Sequence, residues 1–212
     1  MQVRGNYARD GYAAVEALIP AEVAAALLAQ LKADLEAGGA VTRFAAMAPI
    51  TRRTAFDVYV ADYPPMAQFL WGLTPAMEAL TGRPLLPTYN YFRLYRRNDI
   101  CRVHSDREAC EHSLSLTLGY SDNQVWPFEV GTEPVDESGR ICDDFEDAPF
   151  TSIAMQPGDA VLYRGVTHRH GRLTPNPNRW SAHMFLHFVD RDGPHKAHAF
   201  DGRTTTAANF EI

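Results

Sequence analysis

The chain is poor in cysteine and has none in close pairs. Cys101, Cys110 and Cys142 are an odd set of three with no CxxC spacing, which argues against a disulfide framework and against a zinc ribbon. Long apolar runs are missing too: no window approaches the roughly 18 unbroken apolar residues of a membrane span. Positive charge is in deficit, with 20 Lys and Arg against 26 Asp and Glu for a net charge of −6. Nothing in that balance favours nucleic acid or an anionic membrane as a partner. The opening stretch MQVRGNYARDGYAAVEALIP has no apolar signal core, and with the unpaired cysteines this predicts a cytoplasmic protein. What is present is ordinary. Across 212 residues, 46% are hydrophobic and 22% charged, enough to bury a core and too apolar for disorder. The length predicts one domain spanning residues 1–212.

The apolar pattern changes character part-way along. Val23, Leu27, Leu28, Leu31 and Leu35 fall at helical spacing, with Pro20 suited to the first turn and Gly38-Gly39 to the end. A short strand is expected before it, within Gly11–Ile19, and another within residues 51–61. Pro64-Pro65 introduces a helical region from Met66 to Thr81 that Gly72 or Pro75 can break. Residues up to about 84 therefore read as a largely helical support. From about Leu85, strands take over. Tyr89–Tyr95 alternates as a half-buried strand does, and Ser113-Leu-Ser-Leu-Thr-Leu puts Leu114, Leu116 and Leu118 on one face. Further strands are expected at Trp126–Val130, Phe150–Met155, Ala160–Tyr163 and His183–Val189, with Pro157-Gly158-Asp159 as a turn. The acidic stretch 136–147 reads as a solvated loop. The predicted fold class is α+β, mainly β: a sandwich or barrel over residues 85–200, preceded by helices.

Eight histidines are present, and the informative one stands in His104-Ser105-Asp106. On an extended chain, residues i and i+2 point to the same side, so an imidazole and a carboxylate can reach one metal ion. A third ligand has to come from elsewhere in the sheet, and His168-Arg169-His170 supplies it. Two histidines and a carboxylate occupy one face of an octahedron and leave three positions open, an arrangement suited to Fe(II) in oxygenases.

The order of pieces is specific where each piece alone is not. An aromatic strand Tyr-Phe-Arg-Leu-Tyr-Arg-Arg (91–97) precedes His-Ser-Asp-Arg-Glu-Ala-Cys-Glu (104–111). Pro-Gly-Asp-Ala-Val-Leu-Tyr-Arg-Gly (157–165), His-Arg-His-Gly-Arg (168–172) and Met-Phe-Leu-His-Phe-Val-Asp (184–190) follow. This order resembles the Fe(II)/2-oxoglutarate-dependent dioxygenases, especially their small prolyl-hydroxylase-like members, over about half of the chain. The resemblance implies a double-stranded β-helix, a jelly roll of the cupin kind, with N-terminal helices packed on one sheet. It implies Fe(II) held by His104, Asp106 and a distal histidine, with 2-oxoglutarate and O₂ as cosubstrates. His170 lies nine residues before Arg179, resembling the family's spacing from distal ligand to the arginine that grips the far carboxylate. His170 is therefore favoured over His168. The anchor itself stays open between Arg172 and Arg179, since both arginines are present. Tyr95 matches a tyrosine that hydrogen-bonds the cosubstrate in relatives.

Arg107, directly after the HxD triplet, is a candidate for gripping an acidic substrate at the mouth, and Tyr91, Arg93 and Trp126 are candidates for lining the pocket. Cys101 and Cys110 read as small buried hydrophobes. His183 and His187 read as packing or solvent-facing groups, and their spacing is not that of HExxH. The expected activity is oxidative decarboxylation of 2-oxoglutarate coupled to hydroxylation of a small organic substrate, such as an amino acid or related metabolite. The alternatives are a protein side-chain hydroxylase of prolyl type and a non-catalytic cupin-like metal-binding module.

Overall fold

The computed structural model describes residues 1–38 and 48–202. Among the described residues, twelve strands and four α-helices follow one another. β1 (Gln2–Arg4), α1 (Tyr7–Asp10) and β2 (Tyr12–Glu16) lead into α2 (Ala21–Ala37). Pro20 precedes α2 and Gly38 ends it; Gly39, the other half of the expected stop, lies outside the described residues. β3 (Phe56–Tyr59) occupies part of the strand expected within 51–61. The region after Pro64-Pro65 is split into α3 (Pro65–Gly72) and α4 (Thr74–Thr81), so the break falls between Gly72 and Pro75. The remaining strands are β4 (Leu85–Arg96), β5 (Cys101–His104), β6 (His112–Tyr120), β7 (Phe128–Gly131), β8 (Ile141–Cys142), β9 (Phe150–Ile153), β10 (Ala160–Tyr163), β11 (His170–Arg172) and β12 (Trp180–Asp190). A one-turn 3-10 helix spans Glu108–Cys110, and a kinked one spans Lys196–Gly202.

Two antiparallel sheets face each other. The larger has the order β1-β2-β10-β6-β12-β4-β3, and the smaller β8-β5-β11-β7-β9. The first 84 residues are less purely helical than their composition suggests: β1, β2 and β3 extend both edges of the large sheet. The acidic stretch 136–147 likewise contributes β8 to the edge of the small sheet.

The main core lies between the helices and the outer face of the large sheet. Leu114, Leu116 and Leu118 of β6, Met184 and Leu186 of β12 and Phe92 of β4 pack there with Leu31, Met66, Leu70 and Met77 from α2, α3 and α4. Burial of these side chains is the main stabilising contribution, about 1.5–3 kcal/mol for each large one. The opposite faces of the same strands point between the sheets. Ser113, Ser115 and Thr117 of β6 and His183 and His187 of β12 are as deeply buried as the leucines beside them. The alternation along Tyr89–Tyr95 likewise marks a strand covered on both faces, not a half-buried one: Phe92 is 2% exposed, Arg93 2% and Tyr95 0%. The second sheet replaces solvent as the cover of the polar side.

Candidate metal centre

β5 ends at His104 and β11 begins at His170, and the antiparallel register sets these two residues opposite each other. His104 Nδ1 lies 2.8 Å from the Arg102 carbonyl and His170 Nδ1 lies 2.9 Å from the His168 carbonyl. A carbonyl only accepts, so each Nδ1 carries the proton and donates it, leaving each Nε2 with its lone pair. Both lone pairs face Asp106: His104 Nε2 is 3.6 Å from Oδ1, and His170 Nε2 is 3.5 Å from Oδ2. Three electron-pair donors thus gather within 4.8 Å of one another, and Asp106 Oδ2 is buried without a hydrogen-bond partner. With each ring in its neutral form, such a set could hold a divalent cation, and its His₂-carboxylate composition suits iron.

Asp106 follows the end of β5 rather than continuing it, yet reaches the same point as His104. Its backbone N–H donates to the Gly165 carbonyl at 2.8 Å. A Cβ on residue 165 would sit 2.4 Å from Asp106 Oδ2 and 2.5 Å from the Cys110 carbonyl, so only glycine leaves room for the carboxylate. His168 goes elsewhere. It precedes β11 in a turn, and its ring packs where a Cβ on Gly11 would stand, 2.2 Å from Cε1. Burial first, then the charge of Arg164, pushes its pKa down to about 4. Of the two candidates, His170 is the one that faces Asp106.

Deeper between the sheets lies Arg172, 1% exposed. Nη1 donates to the Trp126 carbonyl at 2.8 Å, while Nη2 lies 3.4 Å from Ser115 Oγ and 3.3 Å from His183 Nδ1. All of these partners are neutral. The guanidinium also rests over the rings of Trp126 and Phe128, at 4.9 and 5.4 Å. A buried cation with only neutral partners is costly unless an anion joins it. Two more polar groups beside it lack partners: the Tyr95 hydroxyl and His183 Nε2, both fully buried. Since His183 Nδ1 accepts from Arg172, Nε2 carries the ring proton; burial and the Arg172 charge push this imidazole well below its ordinary pKa and keep it neutral. Arg172 and Tyr95 both line one cleft, and a guanidinium beside a hydroxyl matches the needs of a carboxylate. Tyr91, Tyr95, His104, Asp106, His170 and Arg172 line this common narrow cleft, with Ile50, Phe128 and Phe185 among its apolar walls.

The other candidates from the sequence are distributed differently. Arg179 stands at the surface with its side chain 73% exposed, Nε lying 3.3 Å from Asp122; it is outside this cleft, and the anchoring role expected of it has no geometry here. Its position just before β12, at an end of the barrel, sends its side chain to solvent. Arg93 is committed elsewhere: Nε and Nη2 make a buried bidentate pair with Asp57 at 2.7 and 2.6 Å. It supports the wall through contacts with the faces of Tyr91 and Tyr95 at 5.2 and 5.6 Å. Trp126 is wholly buried behind Arg172, with its indole N–H donating to the Thr174 carbonyl at 2.6 Å. Arg93 and Trp126 therefore back the pocket rather than line it. Cys101 and Cys110 are buried free thiols, as expected.

His183 and His187 are the groups that the sequence reading undervalued. Neither is solvent-facing: both project from β12 between the sheets. Their alternation with Met184 and Leu186 is the signal that assigns them to the inner face. His187 Nδ1 lies 2.8 Å from Ser113 Oγ, and a ring nitrogen comes within 4.8 Å of Asp106 and Cys110. Burial pushes its pKa down to about 4, so it too is neutral.

No protein-family model and no curated protein matches the chain. Solved structures do. The non-haem α-ketoglutarate-dependent carbocyclase SnoK of nogalamycin biosynthesis aligns with a TM-score of 0.69 at 14% identity, covering 96% of this chain and 92% of that one. A prolyl-4-hydroxylase from Pseudomonas putida aligns at 0.56 and 17% identity, with coverage of 86% and 95%. HygX from Streptomyces hygroscopicus, solved with nickel and 2-oxoglutarate bound, aligns at 0.61 and 9% identity over 88% and 85%. The architecture is therefore the double-stranded β-helix. More particularly, the chain has the fold of the iron- and 2-oxoglutarate-dependent oxygenases.

Proposed function

We propose that the chain is an Fe(II)- and 2-oxoglutarate-dependent oxygenase that hydroxylates a small organic molecule. His104, Asp106 and His170 would hold the iron, which when bound supplies the oxidising chemistry together with O₂ and 2-oxoglutarate. The observation that carries the reading is the pairing of that donor set with Arg172, a fully buried guanidinium whose hydrogen-bond partners are all neutral. Arg172 would take the far carboxylate of 2-oxoglutarate in a charge-assisted contact, with Tyr95 O–H and His183 Nε2–H as further donors. Arg102 and His168 fix the two imidazoles through their carbonyls, so the ligands are oriented before metal arrives. The walls of Tyr91, Phe128 and Phe185 exclude water from the reacting centre. The three buried free thiols support work in a reducing compartment, in line with the cytoplasm. Among the described residues no helix is long and apolar enough to cross a membrane.

The test is succinate formation from 2-oxoglutarate by protein reconstituted anaerobically with Fe(II), then exposed to O₂ with and without a panel of amino acids and metabolites. Turnover that needs both Fe(II) and O₂, rises with a panel member and vanishes in His104→Ala is the expected result. A folded, iron-loaded protein that neither binds 2-oxoglutarate nor turns it over would falsify the proposal.

A further inference from the structure

Arg107 directly follows the ligand candidate Asp106, and its side chain is about half exposed. It lies beyond the end of β5, so strand alternation no longer dictates its side, and its guanidinium rests 4.5 Å from the centroid of the Tyr89 ring. Tyr89 in turn packs at a tilt against the His187 imidazole at 4.6 Å, and its hydroxyl lies 3.2 Å from Cys110 Sγ. A continuous column therefore runs from a cation at the surface to an imidazole beside Asp106.

Two features of that column call for a ligand. The first is charge. Arg107 is 54% exposed, and its acidic partner is Asp201 at 3.7 Å, beyond hydrogen-bond reach. Arg93, by contrast, is locked into a short bidentate contact with Asp57. Asp201 reaches Arg107 from a kinked segment in which both Phe200 and Asp201 hold a positive φ, +55° and +59°, a conformation costly for residues other than glycine. The second is the buried His187 Nε2, which has no hydrogen-bond partner. The single Ser113 hydroxyl proton can go to His187 Nδ1 at 2.8 Å or to the Cys110 carbonyl at 3.2 Å. Under either arrangement Nε2 remains the open position of the ring, as donor or acceptor respectively.

We propose that the substrate is a small carboxylate whose acid group is held by Arg107, in the place now held by Asp201, while a polar group nearer the metal centre meets His187 Nε2. This rests on the oxygenase reading above and names its substrate class. Arg107 recognises the charge, the Tyr89 ring keeps the guanidinium flat and oriented, and Asp201 competes for it. The substrate carboxylate is distinct from that of 2-oxoglutarate, which the same reading assigns to Arg172.

Matched pairs of small acids and their primary amides, such as L-proline with L-prolinamide and phenylacetate with phenylacetamide, test this by calorimetric binding to metal-loaded protein without O₂. Each titration is run with saturating 2-oxoglutarate and repeated without it. At least one acid is expected to bind more tightly than its amide. Arg107→Met is expected to weaken that acid by about tenfold to a hundredfold, the range for a charge-assisted hydrogen bond, with Arg107→Lys in between. Asp201→Asn, which removes a weak competitor, is expected to tighten it by about twofold. Equal binding of acid and amide, or an acid unaffected by Arg107→Met, overturns the proposal. So does silence of every acid at about 100 mM, above the roughly 6–80 mM that one such contact of about 1.5–3 kcal/mol supplies. Metal and 2-oxoglutarate titrations of the same variants keep the two readings separate. If those fail in the parent protein, the oxygenase reading falls; if they succeed and the acids fail, only the substrate class does.

Discussion

The two faces of the large sheet are equally dry and chemically opposite. On the outer face, Leu114, Leu116, Met184, Leu186 and Phe92 meet helices. On the inner face of the same strands, Ser113, Ser115, His183, His187 and Arg93 meet the second sheet. Exposure does not separate them: Leu116 and Ser115 are both at 0%. The difference teaches that an apolar–polar alternation can record two kinds of interior rather than inside and outside. Apolar burial on the outer face holds the fold together. Polar burial on the inner face is costly, and it leaves several groups there without partners: Tyr95 Oη, Arg93 Nη1, His183 Nε2, His187 Nε2 and Asp106 Oδ2.

The sharpest way to break this comparison is to substitute neighbouring residues of β6. Leu116→Ala, which opens a cavity against the helices, is expected to cost about 2–5 kcal/mol of unfolding free energy, with 2-oxoglutarate affinity unchanged in the folded fraction. Ser115→Ala is expected to cost under about 1.5 kcal/mol, the net worth of an ordinary hydrogen bond. Denaturant melts beside calorimetry check both. If Ser115→Ala proves as damaging as Leu116→Ala, the two faces do not divide the labour as argued.

Arg172→Met asks whether inner-face polarity serves stability at all. Removing a buried charge whose hydrogen-bond partners are all neutral in favour of a flexible apolar side chain is expected to leave the melting temperature level or higher. The same change should weaken 2-oxoglutarate by at least about tenfold while leaving metal binding through His104, Asp106 and His170 in place, since one charge-assisted contact is lost. A variant that melts earlier and still binds 2-oxoglutarate would make Arg172 structural.

The smallest effect is expected at the surface. Arg179→Gln removes an exposed pair with Asp122, and stability should move by less than about 0.5 kcal/mol, with 2-oxoglutarate affinity unchanged. A loss of affinity there would return the anchor to the arginine that the spacing from His170 had suggested.

Much of the centre was legible because it is local. His104 and Asp106 are only two residues apart, so both reach one point even though Asp106 lies past the end of β5. The helix breaks at Gly72 and Pro75, the strand Ala160–Tyr163 and the turn before it likewise depend on short-range chemistry. What was not legible depends on contacts between residues distant in the chain. The spacing to Arg179 favoured His170 over His168 only by resemblance; the turn before β11 and the space at Gly11 separate them physically. Arg172 and Arg179 each suit a carboxylate, and only the end of the barrel decides which one is enclosed. Arg93 looked like a pocket residue until Asp57, on the neighbouring strand β3, claimed it.

By itself, then, the sequence determined the strand-rich architecture, the helical break points and the His-x-Asp half of the metal centre, because backbone geometry and hydrophobic period act over a few residues. Tertiary structure decided that His170 rather than His168 faces Asp106, that Arg172 is buried with neutral hydrogen-bond partners, and that both faces of the large sheet are interior. Those outcomes depend on which strands pair and on what covers them, and a side chain's chemistry is set by neighbours that the linear order does not reveal.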